Sequence, residues 1–293
     1  MITFPDRPHP RLGKLQFSFG IIGDTHINQS ENESTSPYIC NRLANGRARW
    51  VVDCLNRHDV DFTIHLGDVV NPVPHLESCG EAIECFRSIF SKLKSPLHVI
   101  PGNHDIGDKP VDWMPASNVN DRFIRHYEEN HGRHYSLIAH RGCRFVFLNA
   151  QLFNSGHQAE REQQCWLESE LEASGGQRSF VFMHYPPFIT HPDEDTNYDN
   201  LDEPARTWLL EILAKHKVTA LYAGHVHNLM FNRYGDLDLY VLPSTCFVRH
   251  DYAEMFRDRP ADEYGRNDAS KLGLFIVRVY EDGQVNRFVR SNG

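Results

Sequence analysis

The sequence predicts an α/β layered fold, and three observations carry that prediction. Short apolar runs alternate with stretches of helical periodicity along the chain, the order expected of strands and helices stacked in layers. The composition, 40% hydrophobic and 24% charged over 293 residues, excludes a collagen, a coiled coil and a disordered chain. No apolar run approaches the ~18 residues of a membrane span, and no internal repeat points to a solenoid. A chain of this length buries about three quarters of the surface its unfolded form exposes, so folding alone requires neither disulfide nor metal.

Taken in order, the first strand is the apolar run 17–22. A polar stretch rich in Ser, Asn and Glu follows at 28–46 and reads as a long loop. Residues 49–57 read as a helix because Trp50, Val51, Cys54 and Leu55 fall on one face at helical spacing. The run 62–66 is the second strand. Residues 81–93 repeat the helical pattern with Ile83, Phe86, Ile89 and Phe90. Strands are then expected at 97–100, 145–148, 180–183, 220–222 and 237–242, with helices at 158–171 and 203–216 between them. A charged stretch at 251–268 is the second long loop. The final strands, 274–280 and 285–289, are joined by Glu281-Asp282-Gly283-Gln284, a hairpin-like turn. No linker divides the chain, so residues 1–293 are expected to form one domain. The loop insertions near 28–46 and 251–268 read as solvated loop or as a rim or lid, since long loops in compact domains are often functional.

Thirty Lys and Arg against 39 Asp and Glu leave a formal charge of −9. That argues against general nucleic-acid binding and against a membrane surface, where affinity comes from basic patches. Phosphate substrates remain open, because a bound metal reverses the sign locally. The seven cysteines are scattered with no C-x-x-C, which reads as reduced thiols in a cytoplasmic protein. The N-terminal segment carries no apolar run of signal-peptide length. Histidine is the unusual count, at 18.

The chemistry gathers where strands end. Gly23-Asp24-Thr25-His26 follows the first strand and Gly67-Asp68 the second. Pro101-Gly102-Asn103-His104-Asp105 follows the third. His184 follows the run 180–183, and Gly224-His225-Val226-His227 follows 220–222. Ligands in α/β sheets bind beyond the carboxyl ends of strands, so these residues can converge. Carboxylate together with imidazole suits manganese, iron or zinc better than calcium, which takes oxygen only. Asp24-x-His26 is expected to alternate along an extended segment and so reach one ion. His225-x-His227 can reach two ions if the backbone turns between them. Asp68 has two oxygens and can bridge, and Asn103 offers a neutral carbonyl oxygen. Taken singly, each histidine would read as an ordinary hydrogen-bonded residue; five strand ends acquiring this set together would not. His65 and His98 lie inside apolar runs and are expected to pack, while His191 and His250 are candidates for the rim.

With these residues in hand, the sequence resembles the calcineurin-like metallophosphoesterases. That family's pattern is D-x-H, G-D, G-N-H-D/E, a lone H and G-H-x-H, and all five pieces occur in order from Asp24 to His227. The segment His184-Tyr185-Pro186-Pro187-Phe188, with Asp193-Glu194-Asp195 and Tyr198-Asp199-Asn200-Leu201, is similar to the branch called calcineurin-like phosphoesterase domain-containing proteins. The resemblance implies a four-layer α/β/β/α sandwich with two mixed sheets. It implies two metal ions, one held by Asp24, His26, Asp68 and His227, the other by Asp68, Asn103, His184 and His225. His104 would be the catalytic histidine, beside the metals and not bound to them. Attack would come from a metal-bridging hydroxide, whose formation at neutral pH follows from the fall of water's pKa from about 15.7 towards 7 on a metal.

Departures from the pattern bear on the substrate. Protein serine/threonine phosphatases carry G-D-x-x-D-R, but here Asn71 stands at the acid that orients the catalytic histidine, and Pro72 at the arginine. Purple acid phosphatases need tyrosine at the Asn71 position and glycine at the His26 position, and neither is present. Arg249 could supply the missing guanidinium; Tyr185 and Asn228 adjoin ligands and, with Asn71, could touch substrate. The expected partner is a phosphate ester, a small molecule or a phosphoprotein, with a slight lean to monoesters. The alternative is a cyclic-nucleotide or other phosphodiesterase. A non-catalytic interaction scaffold would lack ligands or the catalytic histidine, and a structural metal site would favour clustered cysteines. The sequence does not fix the oligomeric state.

Overall fold

The computed structural model describes residues 9–110, 117–249 and 265–291. Its first sheet contains β1 (Leu15–Ile22), β2 (Phe62–His65), β3 (Leu97–Val99), β10 (Gly273–Tyr280) and β11 (Gly283–Arg290), in the order β11-β10-β1-β2-β3. β1, β2 and β3 run parallel, whereas β10 pairs antiparallel with both β1 and β11. The second sheet contains β4 (Ser136–His140), β5 (Cys143–Phe147), β6 (Ser179–Met183), β7 (Ala220–Ala223), β8 (Met230–Tyr234) and β9 (Leu237–Val241). Its order is β4-β5-β6-β7-β9-β8, parallel at the centre with an antiparallel strand at each edge. Helices α1 (Ala44–His58), α2 (Ser78–Phe90), α3 (Asn103–Ile106), α4 (Asp121–His131), α5 (Gln158–Glu172) and α6 (Ala205–Lys215) complete the chain. Among the described residues no helix is long and apolar enough to cross a membrane.

The period-two alternation of the strands builds the layers. Phe17 and Phe19 of β1, Phe275 and Val277 of β10, Phe145 of β5 and Phe180 of β6 meet between the two sheets. On the other face of the first sheet, Leu274 and Ile276 meet Val51 and Leu55 of α1 and Ile83 and Phe86 of α2. On the far face of the second, Val181 and Leu221 meet Leu167 of α5 and Leu209 and Leu213 of α6. Each such side chain contributes about 1.5–3 kcal/mol on burial, and the three interfaces make four layers, α/β/β/α. Every strand expected from an apolar run is present. β4, β8, α3 and α4 are additional. α1 begins at Ala44, inside the stretch expected to be loop, and a 3-10 turn (Ile39–Leu43) precedes it.

His65 does pack, against Phe86 and Phe90 of α2, but it is also a brace. Its Nδ1 accepts the Gly67 N–H at 3.2 Å. Its Nε2 then carries the proton and donates to Thr25 Oγ1 at 2.9 Å, and that hydroxyl donates to the Val69 carbonyl. Burial pushes the imidazole down to about 3. The unfolded chain protonates this residue near 6.5 and the native chain does not. Stability is therefore expected to fall as pH drops below 6.5, by about 1.4 kcal/mol per unit for this residue, until pH nears 3. His65→Gln should flatten the dependence by that slope in urea titrations between pH 6 and 4.5; an unchanged slope would exclude His65 as the source.

Candidate metal centre

The loops leaving the carboxyl ends of β1, β2, β3, β6 and β7 bring the predicted ligands together. Asp24, His26, Asp68 and His227 form one buried group, and Asp68, His184 and His225 another; within each, donor atoms lie within 4.8 Å of one another. Asp68 belongs to both, with Oδ2 3.5 Å from His26 Nε2 and Oδ1 3.4 Å from His184 Nε2. Asn103 joins the second group, its Oδ1 3.0 Å from His184 Nε2 and 3.2 Å from His225 Nδ1.

The backbone that aims these side chains is unusual. Of the nine described non-glycine residues with positive φ, five are Asp24, His26, Asp68, His225 and His227. A left-handed conformation costs an L-residue about 1–2 kcal/mol, and such outliers cluster at functional sites. The extended Asp24-x-His26 segment expected from spacing therefore does not form. Instead both residues turn left-handed, and the loop is zipped to the one after β2 by Asp24 N–H to Gly67 O and His26 N–H to Asp68 O, each 3.0 Å. His225 and His227 do point to different groups, with Val226 N–H bonded back to Gly224 O between them. Gly67, at φ 91°, lies against the Gly102 backbone, and a Cβ on Gly102 would collide with the Asp68 amide. These close approaches seat Asp68.

The imidazoles are fixed in ligand-competent tautomers. His184 Nδ1 donates to Leu66 O at 2.7 Å and His227 Nδ1 to Phe247 O at 2.9 Å, so both turn Nε2 into the cluster. Outer hydrogen bonds of this kind orient histidine ligands in metal sites. His26 and His227 face each other Nε2 to Nε2 at 3.1 Å. Burial, with neighbouring imidazoles, holds His26 well below its ordinary range, and burial lowers His225 to about 4. Burial also disfavours charge on His184, but the Asp68 and Asp24 carboxylates outweigh it and raise the group to about 9. Asp68 is held low, against its own burial, by His184, His104 and His26. Convergent imidazoles and carboxylates, with His184 giving up its proton when a cation replaces it beside Asp68, are a donor set that fits two adjacent divalent or trivalent ions.

His104 stands beside the first group, its ring edge-on to His26 at 4.7 Å between centroids. Its Nδ1 donates to the backbone carbonyl of Asn71 at 2.6 Å, so the orienting acceptor is a main-chain oxygen where a carboxylate was missing from the sequence. The Asn71 side chain instead donates to Thr35 Oγ1 at 2.7 Å. The other three candidate substrate residues are engaged elsewhere. Tyr185 is fully buried with its hydroxyl on Asp108. Asn228 gives its amide to the carbonyls of Val226 and Arg249. Arg249 binds the Asp199 carboxylate through both terminal nitrogens.

The stretch 28–46 is bolted to the site. Asn41 Nδ2 donates to the carbonyl of His26, Asn28 Nδ2 to that of Asn41, and Asn45 Oδ1 accepts the Asn28 N–H. These bonds tether the stretch to the His26 loop. The expectation for 251–268 lies largely outside the described residues, as does His250, and His191 is exposed. His98 packs between Phe62 and Phe147. Sequence reasoning gave no role to Asp105, whose carboxylate accepts the Val69 and Gly102 amides and ties two ligand loops together. Its place as the acid of the G-N-H-D/E piece was the signal that could have found it.

The model of a family described as calcineurin-like phosphoesterase matches residues 17–229. The serine/threonine-protein phosphatase CPPED1 of Mus musculus is 28% identical over 188 residues, covering 61% of this chain and 57% of the relative. The chain thus spans little more than half the length of that curated relative. The glycerophosphodiester phosphodiesterase GpdQ of Enterobacter lignolyticus is 27% identical over 236 residues, 76% of each chain. In fold, the chain is similar to a dimetal phosphatase from Danio rerio, with a TM-score of 0.65 at 16% identity over 95% of this chain and 97% of that one.

Proposed function

We propose that this chain, which belongs to the calcineurin-like phosphoesterase family, hydrolyses phosphate esters, with monoesters of small molecules or phosphoproteins as its preferred class. The observation that carries the reading is the convergence of seven donor side chains into two groups sharing Asp68, five of them on left-handed backbone. Asp24, His26, Asp68 and His227 would hold one ion; Asp68, Asn103, His184 and His225 the other. Two ions bound there would supply Lewis-acid activation of water and of the phosphate oxygens, and manganese, iron and zinc suit the donors.

The chain's own residues supply the rest. His104 keeps its Nδ1 proton on Asn71 O in either charge state, because a carbonyl only accepts. Its Nε2 is left to carry the second proton and deliver it to the leaving oxygen, a role worth about 10²–10⁴ in rate. The Asn71 carbonyl sets the ring's direction. The GpdQ relative, matching over 76% of each chain, favours a phosphodiesterase as the second reading. Both are tested by comparing p-nitrophenyl phosphate with bis(p-nitrophenyl) phosphate, each with manganese, iron and zinc. Faster turnover of the monoester is expected. Faster turnover of the bis ester would reverse the preference, and no turnover of either would remove the enzymatic reading.

A further inference from the structure

We propose that Tyr198 and Asp199, adjacent in sequence, form a clamp that sets the affinity of the second group, Asp68, Asn103, His184 and His225, for its ion. The inference rests on the metallophosphoesterase reading above.

Each clamp residue holds a different ligand. The Tyr198 hydroxyl has a single proton, and it donates that proton to Asp108 Oδ2 at 3.0 Å, since an ionised carboxylate only accepts. Its lone pairs are left for Asn103, whose Nδ2 donates to it at 3.3 Å. That bond decides which end of the Asn103 amide faces the group. With Nδ2 drawn to Tyr198, Oδ1 points at His184 and His225. An amide turned the other way would present N–H groups, which cannot ligate. Asp108 is fully buried, and its other oxygen takes the Tyr185 hydroxyl, so the anchor behind Tyr198 is itself fixed.

Asp199 acts on the next ligand. Its Oδ1 lies 3.2 Å from His225 Nε2, at ion-pair distance and outside hydrogen-bond alignment. A carboxylate on that nitrogen keeps the proton on Nε2 and leaves the Nδ1 lone pair facing Asn103 and the group. Arg249 binds the same carboxylate through both terminal nitrogens, one of them sharing Oδ1 with His225. The segment is pinned by buried Lys109, whose Nζ donates to the carbonyls of Asn197 and Asn200, both at 2.7 Å, and to Asp202 Oδ1 at 3.0 Å. The ligands that Tyr198 and Asp199 meet, Asn103 and His225, both belong to the second group. Changing the clamp should therefore separate the two ions.

The experiment titrates chelator-stripped protein with manganese by calorimetry, comparing wild type with Tyr198→Phe, Asp199→Ala and Asp199→Asn. Wild type should take up two ions. Tyr198→Phe and Asp199→Ala should each keep one ion at wild-type affinity and bind the other about 10–100-fold more weakly, the usual effect of losing an outer-shell partner. Asp199→Asn, whose side-chain oxygen still accepts from Nε2, should recover most of that loss. Excess manganese should restore turnover in the weakened variants. Tyr198→Phe removes one oxygen and tests the idea even if Asp199→Ala fails to fold. Two ions bound at wild-type affinity in Tyr198→Phe and Asp199→Ala, or equal weakening of both ions, would overturn the clamp while leaving the family reading in place. A wild type that binds no ion would overturn both.

Discussion

Asp68→Ala protein is expected to bind neither ion tightly and to lose turnover to the background rate. Asp68 alone belongs to both ligand groups, with one oxygen towards His26 and the other towards His184. Its Oδ1 also accepts the His104 amide at 2.9 Å, so its loss also unseats the proposed general acid. The fall should exceed the factor of about 10⁴ at the upper end for a single general acid. Asp68→Asn keeps one carbonyl oxygen and should retain a single ion. The metal-free proteins report the structural cost separately. Asp68 and its neighbour Asp24 together keep His184 charged up to about 9, and breaking such a buried pair costs about 3–5 kcal/mol. His184 can shed its proton, so the loss should sit at the lower end of that range. Calorimetric manganese titration and melting in chelator measure the two effects. Wild-type uptake in Asp68→Ala would contradict its shared position.

His104→Ala should lower turnover by about 10²–10⁴ while both ions stay bound. No donor atom of His104 belongs to either group, so metal stoichiometry is expected to match wild type. The deficit should depend on the leaving group. A proton from His104 matters little when p-nitrophenol departs and greatly when an alcohol departs, because the alkoxide is far more basic. The measurement is kcat for wild type and variant on p-nitrophenyl phosphate and on glycerol phosphate at matched metal content. A deficit equal for both esters would assign His104 a positioning role, and an equal turnover would remove it from the mechanism.

Much of this architecture was legible because the central strands are buried on both faces and read as continuous apolar runs, as in FVFM of β6. β4 and β8 escaped notice because they lie at the two edges of the second sheet. β8 alternates half-buried with exposed residues and offers no apolar run. α4 buries only Phe123, Ile124 and Tyr127 in an otherwise polar segment. The early start of α1 was masked by polar residues that prove to be buried, Asn45 and Arg47, which hydrogen-bond to loops around the site. The candidate donors were legible from residue type and strand-end position, and the structure brings them together. The left-handed backbone at Asp24 and His26 was not, since spacing fixes order along the chain but not φ. The main-chain acceptor for His104 was equally hidden, because a carbonyl carries no residue identity.

The two-ion centre is tested most directly by anomalous diffraction from crystals of this protein equilibrated with manganese or zinc. The structure predicts two peaks per chain, one among Asp24, His26, Asp68 and His227 and one among Asp68, Asn103, His184 and His225, with Asp68 touching both. A single peak, peaks elsewhere, or none would contradict it.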